Sequence, residues 1–236
     1  MPRPDGRAND QLRPLVLERG ANPYAEGSCL IRTGGTLVHC TASVAEGVPP
    51  FKKGSGEGWV TAEYAMLPRA TQERTPRERS GPGGRTHEIQ RLIGRSLRAA
   101  MSSMTFGEYT IRVDCDVLQA DGGTRTASIT GGCVALADAC AWLAAQTGAP
   151  SPFGRLVGAV SVGMVDAELR LDLAYLEDRD AGVDFNVVML EPDDFVEVQG
   201  TGEHGTFSRA ELRALVDLAE RGIADLFAAQ RRALGW

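Results

Sequence analysis

The chain has little that would point to a membrane, a disulfide scaffold or a zinc centre. No apolar run approaches transmembrane length, and Met1 to Leu12 is polar, without the apolar stretch of a signal peptide. The five cysteines, Cys29, Cys40, Cys115, Cys133 and Cys140, are odd in number and contain no CxxC spacing. They fall in apolar stretches and read as buried thiols of a reducing compartment, so a cytoplasmic location is expected. Histidine is scarce: His39, His87 and His204 are isolated and have no metal-ligand spacing, and only His87 is placed to approach a ligand of the neighbouring arginines. The glycines of Gly54 to Gly58 lack the strand, helix and acidic residue of a dinucleotide fingerprint and read as a flexible loop. With no convincing linker and no periodic repeat, 236 residues at 43% hydrophobic content suit one large core, a single domain over residues 1–236.

Positive charge is also short overall, with a net −6, yet it is concentrated in one region. Between residues 69 and 98, Arg69, Arg74, Arg77, Arg79, Arg85, Arg91, Arg95 and Arg98 face only Glu73, Glu78 and Glu88, and lysine is absent. Arginine in place of lysine favours bidentate contacts to phosphate over mere solubility. The segment from Arg69 to Gly84 has the Thr, Pro, Ser and Gly content of a mobile loop that orders on a polyanion or at a subunit contact. From Thr86 onward, Ile89, Leu92, Ile93, Leu97, Ala100 and Met101 follow helical spacing, with Thr86 as N-cap and Glu88 in the first turn. Arg91, Arg95 and Arg98 share its polar face, where a solvated surface explains at least one of them.

The run from Ala120 to Ser128 ends a strand and opens a helix. Ile111, Val113, Cys115 and Val117 alternate with Arg112, Asp114 and Asp116, the pattern of a half-buried strand. Gly122 and Gly123 permit a tight turn and close backbone approach. Thr124, Thr126 and Ser128 bring hydroxyls to the free N–H groups of a first helical turn, beside the fork of Arg125. A phosphate would be held there by dipole, backbone donors and guanidinium together. The same residues also make an ordinary glycine turn with a Thr or Ser N-cap, and the motif alone leaves both open.

Further strands are expected near Ser28–Ile31, Thr36–Val44, Gly58–Met66, Tyr109–Leu118, Leu156–Val165, Leu169–Tyr175, Val183–Leu190 and Phe195–Gln199. Helices are expected near Thr86–Ser103, Ser128–Gln146 and Ser208–Arg232, the last opened by the capping-box pattern Ser208 to Glu211. The class is therefore α/β of the α+β kind.

These blocks together resemble the bacterial ribonuclease PH family over nearly the whole chain. The resemblance is carried by Arg3-Pro4-Asp5-Gly6-Arg7, Gly54 through Tyr64, Met66-Leu67-Pro68-Arg69 and the Gly84 to Arg98 helix. It continues through Asp114 to Ser128, Asp184-Phe185-Asn186-Val187-Val188 and Gln199-Gly200-Thr201. It implies a two-layer sheet-and-helix fold with a duplicated β-α core, assembled as a homohexamer, a trimer of dimers. It also implies a phosphate-dependent 3′-to-5′ exoribonuclease that trims transfer RNA precursors and other RNA 3′ ends such as ribosomal RNA. By the same resemblance Arg85, Gly123, Thr124 and Arg125 would bind inorganic phosphate, and Asp178 and Asp184 would hold Mg2+ or Mn2+, a hard cation suited to carboxylates. Without it, Asp178 and Asp184 read as a solvated acidic turn, with Asp180 a bystander. Arg69, Arg74 and Arg77 correspond to loop arginines implicated in RNA binding and oligomer contacts.

Phosphate held by Arg85, Thr124 and Arg125 would attack the last phosphodiester and release a nucleoside 5′-diphosphate, a reversible exchange with no covalent protein nucleophile. Two other readings compete. One is a catalytically silent ring subunit, disfavoured because Arg85, Thr124, Arg125, Asp178 and Asp184 are all present. The other is a hydrolytic nuclease, which has no use for an arginine-lined phosphate loop. The chain departs from the family in lacking a lysine in Ser80 to Gly84 and in carrying Phe185 where methionine is common, a change expected to adjust metal geometry beside Asp184.

Overall fold

The computed structural model describes residues 3–236; Met1 and Pro2, the start of the polar stretch Met1 to Leu12, lie outside the described residues. Two sheets organise the chain. The first runs β1-β2-β3-β5-β4, built from β1 (Leu15–Arg19), β2 (Gly27–Thr33), β3 (Thr36–Glu46), β4 (Trp59–Met66) and β5 (Tyr109–Gln119). All its neighbours are antiparallel except β4 and β5. That parallel pair needs a crossover, which α1 (Gly84–Ala99) supplies by packing on β4. The second, antiparallel sheet runs β7-β6-β8-β9, from β6 (Val157–Val165), β7 (Glu168–Leu171), β8 (Val183–Leu190) and β9 (Asp194–Gly202).

Helix α2 (Thr124–Thr147) packs on β2, β3 and β5 and also on β6 of the other sheet. Its Ala, Gly and Cys content allows this double contact. A Cβ on Gly131 would come within 2.6 Å of Ile31, so the helix sits closer to the sheet than any larger residue permits. Its apolar 18-residue window, mean hydropathy 1.4, is long enough to cross a membrane, contrary to the expectation from sequence, but 78% of it is buried inside the protein. The helix is hydrophobic all round because both sheets cover it. Helix α4 (Arg209–Leu234) closes β6 and the edge of β1. It opens with the expected capping box: Glu211 N donates to Ser208 Oγ at 3.2 Å and Ser208 N to Glu211 Oε2 at 2.6 Å.

All five cysteines are free and buried. Burial raises the thiols of Cys29, Cys133 and Cys140 to about 12, which leaves them protonated and inert.

Several boundaries differ from expectation. Helix α1 begins at Gly84 with Gly83 as its N-cap, and Thr86 lies inside it, its hydroxyl donating to Glu78 Oε1 at 3.0 Å. Glu88 thus falls beyond the first turn, and the helix stops at Ala99, short of Ser103. Arg98 leaves the solvated face: it stacks 4.6 Å from the Trp59 ring and donates to Val60 O. Helix α2 starts at Thr124, four residues before Ser128. The expected strand Leu169–Tyr175 is cut short at Leu171, because Asp172 turns the chain at φ 55° and a short helix α3 (Tyr175–Asp180) follows. Strand β1 was not anticipated; it is a short edge strand whose Val16 is exposed.

Candidate active site

The ends of these elements meet at a cleft of about 710 Å3. From α1 come Arg85 and Glu88, three residues apart and so on one helix face. From the β5–α2 turn come Gly122, Gly123, Thr124 and Arg125, from α3 Asp178, and from β8 Asp184 and Asn186. Strand β9 pairs Thr201 with Asp184 and Gln199 with Asn186, which puts Gln199 and Thr201 on the same wall.

Gly122 and Gly123 both have positive φ, 76° and 67°. The requirement is strict at Gly122, where a Cβ would stand 2.6 Å from Leu173 O. Two successive left-handed residues followed by a helix make a concave nest of N–H groups. No side chain caps α2, and its first intrahelical bond is made by Ala127 N to Gly123 O at 3.0 Å, so the donors ahead of it remain available to an anion. The hydroxyls expected to cap do something else. Thr126 donates to Gly123 O and Ser128 to Thr124 O, while Thr124 Oγ1 shares a 2.8 Å hydrogen bond with Tyr64 OH.

The two guanidiniums differ. Arg85 forms no hydrogen bond or ion pair with the described residues, whereas Arg125 Nη1 donates to Glu88 Oε1 and Gln199 Oε1, each at 3.2 Å. Opposite them stand the carboxylates. Burial, reinforced by the charge of Asp178, raises Asp184 to about 6 against the pull of Arg125. Burial likewise raises Asp178, opposed by Arg85 and Arg125. Asp184 Oδ1 is buried with no hydrogen-bond partner. An orphaned, desolvated carboxylate oxygen next to a second carboxylate fits a divalent cation, which would take its remaining oxygens from water and substrate. Among the described residues no three His, Cys, Asp or Glu side chains form a metal cluster by themselves.

Every residue expected at the phosphate and metal positions therefore lines one cleft. Arg69, Arg74 and Arg77 do not; they are exposed on the segment between β4 and α1. Asp180 pairs with the exposed Arg179 at 2.7 Å and stays outside. Phe185 points to the opposite face of β8 from Asp184. It is buried 4.9 Å from Phe207, ring to ring, so the departure from methionine acts on packing and not on metal geometry. His204, read as isolated, lines the cleft with Glu203, whereas His87 lies in a separate groove beside Trp59 and Arg91. Gln199, Glu203 and Tyr64 were missed. Gln199 closes the expected last strand and, like Tyr64, stands in a block that carries the resemblance, but neither had an assigned role; Glu203 follows the end of β9 and nothing local marks it.

Two family models cover most of the chain: the 3′ exoribonuclease family, domain 1, over residues 11–141, and domain 2 of the same family over 155–222. The chain belongs to the 3′ exoribonuclease family. Ribonuclease PH of Corynebacterium diphtheriae is 59% identical over 235 residues, covering 98% of this chain and 97% of that protein. Ribonuclease PH of Corynebacterium glutamicum is 59% identical over 234 residues, with 98% and 96% covered. A solved Archaeoglobus fulgidus exosome with RNA bound to the active site superposes with a TM-score of 0.80 at 21% identity, over 95% of this chain and 91% of that one. The last is a likeness of fold. The two family domains divide the molecule between its two sheets, and the cleft lies where they meet: Arg85 and the phosphate loop belong to the first, Asp178 and Asp184 to the second.

Proposed function

We propose that this cleft carries out phosphorolysis of RNA 3′ ends, the reaction of the phosphorolytic 3′-to-5′ exoribonucleases, with transfer RNA precursors as substrate and trimmed structured RNA more broadly. The observation that carries the reading is the opposition, in one cleft, of a partner-free Arg85 and an uncapped, doubly left-handed glycine loop to a desolvated carboxylate pair. Arg85, Arg125, Thr124 and the amides at Gly123 bind and orient inorganic phosphate as the attacking group. Asp178 and Asp184 would hold Mg2+ or Mn2+, which, when bound, neutralises charge on the scissile phosphate. A phosphate oxygen forms a bond to the terminal phosphorus and the bond to the preceding 3′ oxygen breaks; that oxygen gains the proton that phosphate gives up and stays as the 3′-hydroxyl of the shortened RNA, while a nucleoside 5′-diphosphate leaves. Two anions must approach, so Arg85 and Arg125 contribute mainly by removing their repulsion.

Arg69, Arg74 and Arg77 grip the body of the RNA in a homohexamer. They are exposed and form no ion pair with the described residues, which leaves their charge free for phosphates. We read residues 1–236 as one domain, since a single apolar cluster joins β2, β5, α2, β6 and α4, and the compartment as the cytoplasm, in keeping with five free thiols. The test is the rate of shortening of a 3′-extended transfer RNA as phosphate is raised. A saturable dependence from a near-zero rate is expected; a rate indifferent to phosphate contradicts the proposal.

A further inference from the structure

We infer that Arg13, from the segment ahead of β1, is a positioning residue that aims the N–H groups of the glycine loop at the bound phosphate. The inference rests on reading that loop as the phosphate site. Arg13 is 3% exposed and lies beneath the loop; a Cβ on Gly123 would be 3.0 Å from its Nη2. Asp172 fixes it on three sides: Arg13 N and Nε donate to Asp172 Oδ2 at 2.8 and 3.0 Å, and Nη2 to Oδ1 at 2.6 Å. Two more guanidinium hydrogens donate to main-chain carbonyls, Nη1 to Asp121 O and Nη2 to Gly122 O at 3.4 Å. Thr36 completes the grip, donating from Oγ1 to Gly122 O at 2.6 Å and accepting from Asp121 N at 2.9 Å.

A trans peptide holds C=O and the following N–H in one plane, pointing in opposite directions. Drawing the Asp121 and Gly122 carbonyls inward therefore turns the Gly122 and Gly123 N–H groups outward, to the wall they share with Thr124 and Arg125. Glycine supplies the left-handed φ but holds no preferred conformation, so the direction of these donors has to come from such an external clamp. The same post reaches the other half of the site. Arg3 and Arg7 both donate to Asp172 O at 3.1 Å, Arg3 also chelates Glu177 at 2.9 and 2.7 Å, and Tyr175 N donates to Asp121 Oδ1 at 3.3 Å. The glycine loop and the start of α3, which carries Asp178, are thus tied to one buried point.

Arg13→Lys keeps the charge but has no fork to span a carboxylate and two carbonyls, and Thr36→Val removes the second clamp alone. Phosphate affinity is measured by calorimetry, RNA affinity by filter binding without phosphate, and stability by thermal melting. The core variant Phe227→Leu, buried and remote from the cleft, serves as a control for loss of stability alone. Both clamp variants are expected to bind phosphate about tenfold or more weakly, to show a raised KM for phosphate with a smaller fall in kcat, and to bind RNA as the wild type does. Phe227→Leu keeps full phosphate affinity. Wild-type phosphate affinity in the clamp variants overturns the inference, as does a parallel loss of phosphate and RNA affinity that tracks melting temperature. Should Arg13→Lys fail to fold, Thr36→Val decides by the same readings. Absence of phosphate binding by the wild type would instead refute the loop as a phosphate site, a failure distinct from one confined to the variants.

Discussion

Arg125 and Asp184 show how one residue's surroundings set its task. Arg125 donates from Nη1 to Glu88 and Gln199 within the cleft that the glycine loop also lines, so a lysine there keeps the charge but loses the fork. Arg125→Lys should lower kcat/KM by about 100-fold or more, measured at subsaturating phosphate, with RNA binding retained. Asp184 is the converse case, a residue kept at a cost to the fold. Its carboxylate is desolvated, faces Asp178 and leaves Oδ1 without a partner. In metal-free protein at pH 7, Asp184→Asn should remove that penalty and raise the melting temperature by about 2–4 °C, on the order of 1 kcal/mol for a chain of this size, while activity is lost. Scanning calorimetry in a chelator checks it; a destabilised variant would show that the carboxylate is satisfied.

At the scale of elements, the glycine turn and the helix caps are the sensitive points. Gly122→Ala combines a left-handed φ with a 2.6 Å contact to Leu173 O and should cost about 2 kcal/mol or more, together with phosphate affinity. Ser208→Ala, remote from the cleft, should cost about 1 kcal/mol by chemical denaturation with unchanged activity, since only the capping box is lost. The strong periodic elements were legible in sequence for the same physical reasons: alternation along β5, helical spacing in α1 and α4, and the Ser208 box. What escaped was decided by distant partners. Thr124, Thr126 and Ser128 read as turn residues, yet two of their hydroxyls bond back into the helix and one meets Tyr64, so α2 starts early. Asp172 reads as part of a strand, but burial against Arg13 turns the chain there and makes α3 possible. Nothing local in Gln11 to Pro14 reveals that Arg13 supports the loop more than a hundred residues on. The glycine loop and Arg125, proposed to bind phosphate, stand in a local motif, whereas Asp178 and Asp184 read locally as a solvated acidic turn and were singled out only by the family resemblance; the supporting shell was missed because its contacts are not local.

Buried ion pairs tie Arg3, Arg7 and Arg13, ahead of β1, to Asp172 and Glu177 in the turn and helix that follow β7. Burial works against ionisation of Asp172 and Glu177, but hydrogen bonds and charge from Arg13 and Arg3 outweigh it and hold both below their ordinary values of 3.8 and 4.5. A depressed carboxylate stabilises the fold above its unfolded value and loses that contribution as pH falls through the folded one. Melting temperature should therefore fall steeply as pH drops below 4.5, where these two contributions begin to disappear; an acid profile unchanged by Asp172→Asn would contradict this source. On the outside, the exposed arginines of the β4–α1 segment are those proposed to serve assembly and substrate binding. Replacing Arg69, Arg74 and Arg77 by Ala should weaken transfer RNA binding and hexamer formation more than phosphate binding. It should also flatten the salt dependence of RNA affinity by about one unit of slope per arginine in contact with phosphate. Unchanged RNA affinity with an intact hexamer would remove that segment from the account.

The central claim is that inorganic phosphate, held by Arg85, Arg125 and the glycine loop, is itself the attacking group. It is tested most directly by incubating the protein and magnesium with a 3′-extended transfer RNA and radiolabelled inorganic phosphate, then identifying the small labelled product by chromatography. Nucleoside 5′-diphosphates carrying the label in the β-phosphate are expected. Unlabelled nucleoside monophosphates, released whether or not phosphate is present, would mean that water attacks and would contradict it.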